Sequence, residues 1–420
     1  MTITNPRDFL KSLFDSAVRA ADPLTGIKAH LPGKPKGRTV VIGAGKGAAQ
    51  MARALESVWD GRLEGLVVTR YGYGCETHGI EIIEAAHPVP DAAGLAASKR
   101  LFTEVSGLTG DDLVIALICG GGSALLPSPP EGLTLADEIA MNEMLLASGA
   151  PISAMNVVRK HLSTIKGGRL AAAAKARVVS LIVSDIPGDN PAHVASGPTV
   201  PDGSTRHDAL DIIRQYGLQL PQAALDHLNS PNADAPRPED PVFAGHEHHI
   251  IASAGVSLEA AAALARQQGI TAAILSDSIE GEARDVALVH AAIAREVLSR
   301  DRPFSKPVVI LSGGETTVTL RSKGGKGGRN GEFALATALA IDGQDMHLLA
   351  ADTDGIDGSE DNAGAFADGG TVKRLRAAGL DPRRVLDGND SYSGFKAIGD
   401  LFETGPTGTN VNDFRAILIR

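Results

Sequence analysis

The chain has 420 residues, with 40 lysines and arginines against 50 aspartates and glutamates, which gives a formal net charge of −10. This acidic balance disfavours nucleic-acid binding, because such binding needs a basic surface to neutralise phosphates. A chain longer than roughly 300 residues outgrows a single core, so the length predicts two domains. The two cysteines, Cys75 and Cys119, lack the spacing of metal ligands or of a disulfide framework. We therefore expect the protein in the reducing cytoplasm.

Glycine is unusually frequent, at 48 of 420 residues, or about 11% against roughly 7% in average proteins. Glycine and the 23 prolines together stay below the roughly 25–30% typical of disordered chains, so we expect a globular protein. The longest strongly apolar run, Leu113–Cys119, is far shorter than the roughly 18 residues of a membrane-spanning helix. The glycine excess therefore indicates specific turns in a folded protein.

Short apolar runs alternate with helical stretches, which is typical of parallel α/β sheets covered on both faces. The chain begins with an amphipathic helix that Asn5 caps and Pro6 opens. In the first half, strands are predicted at 39–42, 66–69, 113–119 and 178–184, and helices at 48–58, 92–105, 135–147 and 154–165. In the second half, strands are predicted at 249–252, 272–275, 307–311, 347–351 and 416–419, and helices at 258–268 and 283–298.

A proline-rich segment, 230–241, separates the two halves. Its four prolines and its lack of large apolar residues prevent regular structure, so it is the predicted domain boundary. The sequence thus predicts an α/β fold of two domains. A Rossmann-like parallel-sheet domain is expected at 1–240 and a smaller α/β domain at 241–420, with the active site in the cleft between them.

The first candidate site is the turn after the first predicted strand, where Gly43, Gly45 and Lys46 precede a helix. Backbone N–H groups of such a turn can approach an anion, and Gly-x-Gly-x-x-Ala fits a dinucleotide fingerprint. The next strand, however, ends at Thr69 and Arg70, without the acidic residue that binds an NAD ribose. A tight strand-to-helix turn with an exposed lysine is the structural alternative.

A second glycine turn follows the most apolar predicted strand. Its residues Gly120, Gly121 and Gly122 would let a ligand touch the backbone. Ser123 would add a hydroxyl donor to that ligand. Close packing of a helix against the sheet is the alternative.

Carboxylates and cations lie near these turns in the sequence. Asp185 and Asp189 follow the next strand, and carboxylates beside anion-binding turns suit Mg²⁺, with an Asx-type turn as the alternative. On a continuous helix, Arg159, Ser163 and Lys166 would share one face at i, i+4 and i+7. That face would be either a cationic wall for an anionic substrate or a solvated surface.

The second half carries another strand-to-turn segment, which comprises Gly313, Gly314, Glu315 and Thr316. In the glycine-rich loop that follows, Lys323, Lys326 and Arg329 suit phosphoryl oxygens, unless the loop is simply a flexible surface segment. Asn330 comes next, at the start of a predicted helix. Asp354 lies among clustered carboxylates after a strand, without the complete spacing of a calcium loop.

Motifs spread over nearly the whole chain are GAGK at 43–46, CGGGS at 119–123, VRKH at 158–161, SDIPGD at 184–189, SGGET at 312–316, GRN at 328–330, TDGIDG at 353–358 and PTGTNVND at 406–413. With these motifs the sequence resembles the type II glycerate kinase family. Members of that family end in a MOFRL domain and are also labelled hydroxypyruvate reductases or tartrate-degradation proteins. The sequence departs from the family pattern at Gly331, where glutamine is expected, and at 252–255, which lacks the usual asparagine.

The resemblance implies an ATP-dependent kinase that phosphorylates the 2-hydroxyl of D-glycerate, giving 2-phospho-D-glycerate and ADP with the help of Mg²⁺. Lys46 and Arg329 match family positions implicated in catalysis, and we expect them to stabilise the transferring phosphoryl group from opposite walls of the cleft. Asp185, Asp189 and Asp354 are candidates either for holding the metal ion or for acting as the base of the attacking hydroxyl. Asp185 and Asp354 are assigned to the metal ion and Asp189 to catalysis, with the exchange of these roles left open.

The remaining expected site residues bind substrate or nucleotide. Ser123, Arg159 and Lys160 are expected to bind glycerate, the two cations through its carboxylate. Nucleotide phosphates are expected to contact Gly43, Gly45, Gly120, Gly121, Gly122, Gly313, Gly314, Glu315, Thr316 and Asn330. The expected partners are glycerate and ATP, without nucleic acid or membrane, and a homo-oligomer is left open. The alternatives are an NAD(P)H-dependent hydroxypyruvate reductase and a non-catalytic sensor of sugar acids.

Overall fold

The computed structural model describes residues 3–321 and 324–420, so Lys323 of the glycine-rich loop lies outside the described residues. The strands are β1 (Thr39–Ala44), β2 (Glu64–Arg70), β3 (Glu81–Ala85), β4 (Leu113–Cys119), β5 (Arg177–Val183), β6 (Glu247–Ala252), β7 (Thr271–Ile274), β8 (Gly281–Glu282), β9 (Val308–Gly314), β10 (Thr316–Thr317), β11 (Met346–Asp352), β12 (Gly364–Asp368), β13 (Leu401–Phe402) and β14 (Asp413–Ile419). No helix in the described part is long and apolar enough to cross a lipid bilayer.

The helices are α1 (Pro6–Ala20), α2 (Pro23–Ala29), α3 (Ala48–Val58), α4 (Ala92–Val105), α5 (Gly122–Leu125), α6 (Leu135–Ala147), α7 (Ile152–His161), α8 (Arg169–Ala172), α9 (Arg206–Gln215), α10 (Gln222–Asn229), α11 (Ala254–Gln267), α12 (Ala283–Arg300), α13 (Arg329–Ala340), α14 (Thr371–Ala377), α15 (Pro382–Asp387) and α16 (Ser391–Ile398). Short 3-10 turns lie at Pro187–Asp189, Val194–Ser196, Pro231–Ala233 and Pro241–Phe243. The predicted bounds of α3, α4 and α6 are confirmed. Local caps fix some of these ends: Asn5 accepts two backbone N–H bonds before α1, and Thr134 forms a capping box with Asp137 before α6.

The chain forms two compact units. The N-terminal unit is Gly26–Ile251, and the C-terminal unit is Ala252–Arg420 together with the N-terminal residues up to Thr25. This division differs from the predicted limits of 1–240 and 241–420. The proline-rich segment lies within the N-terminal unit, because β6 comes after it and pairs with β5 in the first sheet.

The first helix also falls outside the unit that its sequence position suggests. The apolar face of α1 is buried in a core of the C-terminal unit, where Phe14 packs edge-on against Phe402 and Phe414 at ring distances of 5.0 and 5.7 Å. Leu10 and Leu13 are fully buried in the same core. The two aromatic partners of Phe14 are therefore roughly 390 to 400 positions away from it in sequence.

The N-terminal unit is built on a sheet with strand order β3-β2-β1-β4-β5-β6. Neighbouring strands from β3 to β5 run parallel. Alternate residues of β1 point to opposite faces, and one face packs on α4 through Ala97, Leu101 and Val105. The predicted Rossmann-like parallel sheet is confirmed, and β3 is a strand that the sequence did not indicate.

The C-terminal unit contains a mixed sheet with strand order β13-β12-β11-β14-β9-β7. Strand β14 runs antiparallel between β11 and β9, whereas β7 and β9 are parallel. Helices α1 and α11 cover one face of this sheet, and α12 and α13 cover the other. This α/β unit therefore places the beginning of β14 beside the carboxyl ends of β9 and β11.

Candidate active site

The carboxyl edge of the first sheet collects most of the predicted site residues of the N-terminal unit. Strand order reverses between β1 and β4, and ligands of doubly wound sheets bind outside the strand ends at such a switch point. Lys46 follows β1, the triplet Gly120, Gly121 and Gly122 follows β4, and Asp185 follows β5. Because these strands are parallel, all three segments lie at one edge.

The turn after β1 uses its glycines for packing. A side chain at Gly43 would collide with the carbonyl of Leu117, and one at Gly45, whose φ is +141°, would collide with Cys119. The N–H of Gly45 donates to the Val68 carbonyl at 3.0 Å. The predicted contacts of Gly43 and Gly45 with phosphate therefore stay predictions, while the structure gives both a packing role.

The next two N–H groups of this turn also have partners within the unit. Lys46 N donates to the Gly120 carbonyl at 2.8 Å, and Gly47 N donates to Cys119 Sγ at 3.2 Å. A dinucleotide fingerprint depends on backbone donors of this turn facing a pyrophosphate. The turn instead joins the carboxyl ends of β1 and β4.

The glycine triplet brings Lys46, His87 and Asp185 together. A Cβ atom at Gly121, whose φ is +78°, would lie 3.0 Å from both Lys46 Cγ and His87 Nε2. A Cβ atom at Gly120 would overlap the carboxylate of Asp185. Burial and the charges of Lys46 and Arg70 lower the pKa of His87 to about 4, so its imidazole is neutral at pH 7.

Two further predicted residues lie in the loops around this edge. Asp189 ends the short turn Pro187–Asp189 in a left-handed backbone conformation, with φ of 50°, which is uncommon for a residue with a side chain. Ser123, in the short helix α5, is 2.9 Å from Ser196 through their hydroxyl oxygens. Ser196 in turn donates to Asn156 Oδ1 at 3.1 Å.

The predicted cationic wall is wrong. Helix α7 ends at His161 because Thr164 N bonds to the Ser128 carbonyl instead of continuing the helix, so Arg159, Ser163 and Lys166 do not share a helical face. Lys166 is buried and forms an ion pair with Glu138 at 3.0 Å.

Of the two residues expected to hold a substrate carboxylate, Lys160 is unsuited. Its side chain is completely buried and forms an ion pair with Asp202. Arg159 is better placed: Nε donates to Asn142 Oδ1 at 2.8 Å and Nη1 to Asn156 Oδ1 at 3.4 Å. Burial lowers the pKa of Arg159, although the charge of Glu138 acts in the opposite direction, and both of these hydrogen bonds go to amide oxygens.

In the C-terminal unit, strand register assembles a second group of charges. Asp413, at the start of β14, lies opposite Asp352 of β11 on one side and Gly314 of β9 on the other. Arg329, in the first turn of α13, contacts three carboxylates: Asp413 at 2.6 Å, Asp352 at 2.6 Å and Glu315 at 2.9 Å. We call these four residues the Arg329 cluster.

Electrostatics in the Arg329 cluster follow from burial. Burial alone would lower the pKa of Arg329, but the charges of Asp413, Asp352 and Glu315 outweigh it and raise that pKa above its ordinary value. Burial raises the pKa of Asp352 well above its ordinary value, although Arg329 acts in the opposite direction. The cluster is therefore a guanidinium whose charge is fixed by buried acids.

Residues around the cluster have structural partners of their own. Asp357 accepts the N–H groups of Asn330 and Gly331 at 2.9 and 2.7 Å and so caps α13, while burial raises its pKa to about 6. Asn330 also donates to Asp413 at 2.8 Å. Its side-chain oxygen is buried and has no hydrogen-bond partner, which leaves one polar atom available for a ligand or water.

The turn after β9 is likewise hydrogen-bonded to and packed against residues of its own unit. Gly313 N donates to the Ser276 carbonyl at 2.8 Å, and a side chain at Gly314 would collide with the backbone of Ile279. Thr316 donates to Asp413 through N and Oγ1, at 3.2 and 3.3 Å. The predicted contacts of Gly313, Gly314, Glu315 and Thr316 with nucleotide thus stay predictions.

Comparison with known proteins identifies the family. The model of the domain of unknown function DUF4147 matches residues 9–229, and the MOFRL family model matches residues 308–413. A glycerate 2-kinase from Pyrococcus horikoshii is 42% identical, with 95% of this chain and 94% of the relative covered. This chain belongs to the type II glycerate kinase family. A crystal structure of the Thermotoga maritima glycerate kinase has a TM-score of 0.90 at 38% identity, with 99% of both chains covered.

One similar member of the type II glycerate kinase family carries a different name. A relative from Agrobacterium vitis, 52% identical over 98% of this chain and 94% of its own, has the provisional name hydroxypyruvate reductase. A reductase of this kind needs a nicotinamide dinucleotide site. The N–H groups of Gly45, Lys46 and Gly47 already donate hydrogen bonds within the N-terminal unit, so the turn after β1 presents none of these three donors to a dinucleotide.

The departure at Gly331 from the pattern of type II glycerate kinases has a steric explanation. A Cβ atom at Gly331 would lie 2.5 Å from Ser391 Oγ and 3.3 Å from Asp357 Oδ2. The space for a glutamine side chain is therefore filled by α16. The stretch 252–255 forms the end of β6 and the start of α11, where Ser253 accepts the N–H of Val256 as an N-cap.

Magnesium is implied by membership of the type II glycerate kinase family. Within residues 3–321 and 324–420, no three His, Cys, Asp or Glu side chains are grouped as a metal site. Asp354 accepts from Ile356 N at 2.8 Å and from Asn410 Nδ2 at 3.4 Å, and Asp185 lies against Gly120. Since Mg²⁺ commonly binds one or two carboxylates together with phosphate oxygens, each of these aspartates fits a partial site.

Four residues that the structure places beside the predicted site residues had no role predicted from the sequence, namely His87, Ser196, Asp352 and Asp413. Asp413 ends the PTGTNVND motif, which could have singled it out. His87 follows β3, a strand that the sequence pattern did not indicate. Ser196 and Asp352 lie in segments that the sequence does single out, after the strands that end before Asp185 and Asp354. No local pattern, however, gives Ser196 its contact with Ser123 or shows that Asp352 faces Asp413.

Proposed function

We propose that this protein is a glycerate 2-kinase, which transfers the γ-phosphoryl group of ATP to the 2-hydroxyl of D-glycerate. The observation that carries the proposal is the grouping of Lys46 and Asp185 around the glycine triplet, at the switch point of the first sheet. A cation and a carboxylate at such an edge suit a phosphate ligand and its metal ion. The products are 2-phospho-D-glycerate and ADP.

In the proposed reaction the 2-hydroxyl oxygen forms a bond to the γ-phosphorus, and the bond from that phosphorus to the oxygen of the departing ADP breaks. Asp189 receives the proton of the 2-hydroxyl. Lys46 and Arg329 stabilise the negative charge on the transferring group, because this chemistry depends on positioning and electrostatics more than on covalent catalysis. Mg²⁺, held by Asp185 or Asp354, would neutralise charge on the β- and γ-phosphate oxygens.

Arg159 is assigned to the substrate carboxylate. Its guanidinium is largely removed from water and hydrogen-bonds to the amide oxygens of Asn142 and Asn156. Arginine binds carboxylates through paired N–H donors, and a substrate carboxylate would add an opposite charge in direct contact with this guanidinium group. Lys160, already bound to Asp202, is left out of this role.

The experiment is an ATP-dependent assay with D-glycerate, with the product identified by enolase, which consumes 2-phosphoglycerate. We expect Lys46→Ala and Arg329→Ala each to lower kcat by about a hundred-fold or more, as for removal of a charge-stabilising group. Lys175→Ala and Arg383→Ala, at exposed positions of the same two units, are matched controls that should keep wild-type rates. Unchanged kcat in the first pair, with normal folding, would contradict the assigned roles.

Hydroxypyruvate reduction is the second candidate function, because a similar relative bears that name. NADH and NADPH oxidation with hydroxypyruvate separates the two activities in the same protein preparation. The backbone N–H groups of the turn after β1 are hydrogen-bonded within the unit and do not face a pyrophosphate, which favours the kinase over the reductase. We also propose a cytoplasmic location, since Cys75 and Cys119 are both free thiols.

A further inference from the structure

Backbone strain beside the glycine triplet marks Ser196 as a residue with a specific task. Ala195 and Ser196 both have left-handed conformations, with φ of 52° and 61°, which residues with a side chain rarely adopt in succession. Such strain persists where the surrounding structure requires it and is concentrated at functional sites. Here it places the buried Ser196 hydroxyl between Ser123 and Asn156, at 2.9 and 3.1 Å.

Arg159 fixes which group donates in each hydrogen bond that links Ser123, Ser196 and Asn156. A guanidinium group only donates, so the atom of Asn156 that lies 3.4 Å from Arg159 Nη1 is the amide oxygen. The same oxygen accepts the hydroxyl proton of Ser196. Ser196 has then used its single proton and can only accept from Ser123.

Ser123 consequently presents an acceptor and no donor to a ligand. Its side chain is half-buried and directly follows the glycine triplet at the switch point. An oxygen in this state binds a group that carries a proton and is mismatched with a carbonyl, a carboxylate or a phosphate oxygen. The sequence had suggested the opposite polarity, a hydroxyl donor.

We propose that Ser123 accepts a hydrogen bond from the 3-hydroxyl of glycerate, and that Ser196 and Asn156 are positioning residues that fix this polarity. The inference rests on the proposed glycerate kinase function. The 2-hydroxyl must give up its proton during phosphoryl transfer, and a neutral serine oxygen is too weak a base to take it. The 3-hydroxyl keeps its proton throughout and therefore matches Ser123.

The test compares D-glycerate with 3-fluorolactate of the same configuration, in which fluorine replaces the 3-hydroxyl, so that position 3 has no proton to donate. Dissociation constants are measured by calorimetry for the wild type and for Ser123→Ala, with a non-hydrolysable ATP analogue present. We expect the wild type to prefer glycerate by about ten-fold or more. Ser123→Ala should weaken glycerate binding by about ten-fold and change fluorolactate binding less than two-fold.

Two further variants distinguish hydrogen bonding from a structural effect. Ser123→Thr keeps the hydroxyl and should retain the preference for glycerate. In Ser196→Ala the Ser123 hydroxyl no longer donates to residue 196 and can turn its proton towards the ligand. The preference for glycerate over 3-fluorolactate should therefore become smaller. Equal weakening of both ligands in Ser123→Ala, or a wild type that binds the two ligands equally or binds neither, would overturn the proposal.

Binding does not require turnover, so the two proposals can fail separately. A wild-type protein that shows the expected preference without forming 2-phosphoglycerate from ATP would refute the kinase function and leave the role of Ser123 standing. A working kinase whose glycerate affinity is unchanged by Ser123→Ala would refute the role of Ser123 and leave the kinase function standing.

Discussion

The glycine triplet of the N-terminal unit and the Arg329 cluster of the C-terminal unit position their charged groups in different ways. Around the triplet, Asp185 lies against Gly120 and Lys46 against Gly121, in space that a side chain on either glycine would fill. In the Arg329 cluster, three carboxylates hold one guanidinium through ion pairs. The first arrangement depends on shape and the second on charge, so different substitutions should disrupt them.

The largest expected effect is on the charge-based arrangement. Asp413 is fully buried and accepts from Arg329, Asn330, Thr316 and Arg415. In Asp413→Asn an amide donor would face these donors and leave two guanidinium groups underpaired, which should lower the free energy of unfolding by about 3–5 kcal/mol. Urea denaturation at pH 7 measures the loss. Asp342→Asn, at an exposed site, is the control, and a cost for Asp413→Asn no larger than for this control would contradict the charge-based account.

The shape-based arrangement should respond in activity rather than in stability. The methyl group of Gly120→Ala would overlap the Asp185 carboxylate, which is the end of a flexible side chain and can move aside. We expect kcat/KM for glycerate to fall by about ten- to a hundred-fold, because a displaced group near the reacting atoms is costly. The free energy of unfolding should change by less than about 1 kcal/mol.

Gly110→Ala provides the matched control for that experiment. A Cβ atom at Gly110 would meet no other atom within 4 Å, so the kcat/KM and the stability of the Gly110→Ala variant should equal those of the wild type. If Gly120→Ala retains full activity, Asp185 does not need its observed position.

A smaller effect is a pH dependence in the C-terminal unit. His290 is buried against Ser312 of β9, 2.9 Å from its hydroxyl, and burial lowers the pKa of His290 to about 4 from roughly 6.5 in the unfolded chain. The unfolded state therefore binds the proton more readily. The contribution of His290 to stability is complete above pH 6.5 and is lost as the pH falls towards 4, by about 2 kcal/mol at pH 5.

His290→Asn removes this titration and keeps a donor towards the Val286 carbonyl, which His290 Nδ1 contacts at 2.8 Å. Between pH 7 and pH 5, the variant should lose about 2 kcal/mol less unfolding free energy than the wild type. Denaturation curves at the two pH values give this difference. An identical pH dependence in both proteins would show that His290 is not the titrating group.

The same contrast explains how much the sequence could predict. Helices α3, α4 and α6 and the turns beside Lys46 and Gly120 were predictable, because periodicity, caps and glycine runs report local backbone requirements. The Arg329 cluster was only partly predictable. Arg329 and Asp413 are 84 positions apart in sequence and meet because β14 inserts between β9 and β11, which no local pattern encodes. The place of α1 in the C-terminal unit was missed for the same reason.

The smallest expected effect is at the exposed side of the Arg329 cluster. Glu315 is about half exposed, so its ion pair with Arg329 should contribute less than about 1 kcal/mol, and less still at high salt. Glu315→Gln should therefore be nearly as stable as the wild type. If Arg329 binds a phosphoryl oxygen on this side, loss of the competing negative charge should leave KM for ATP unchanged or lower it.

Glu315→Asp, which keeps the charge, is the control for this substitution and should leave KM for ATP at its wild-type value. A stability loss in Glu315→Gln comparable to that of Asp413→Asn would mean that all three carboxylates hold Arg329 equally. The buried pair, Asp352 and Asp413, would then no longer be the part of the cluster that fixes the guanidinium. A higher KM for ATP would assign Glu315 to the nucleotide site itself, as the sequence first suggested.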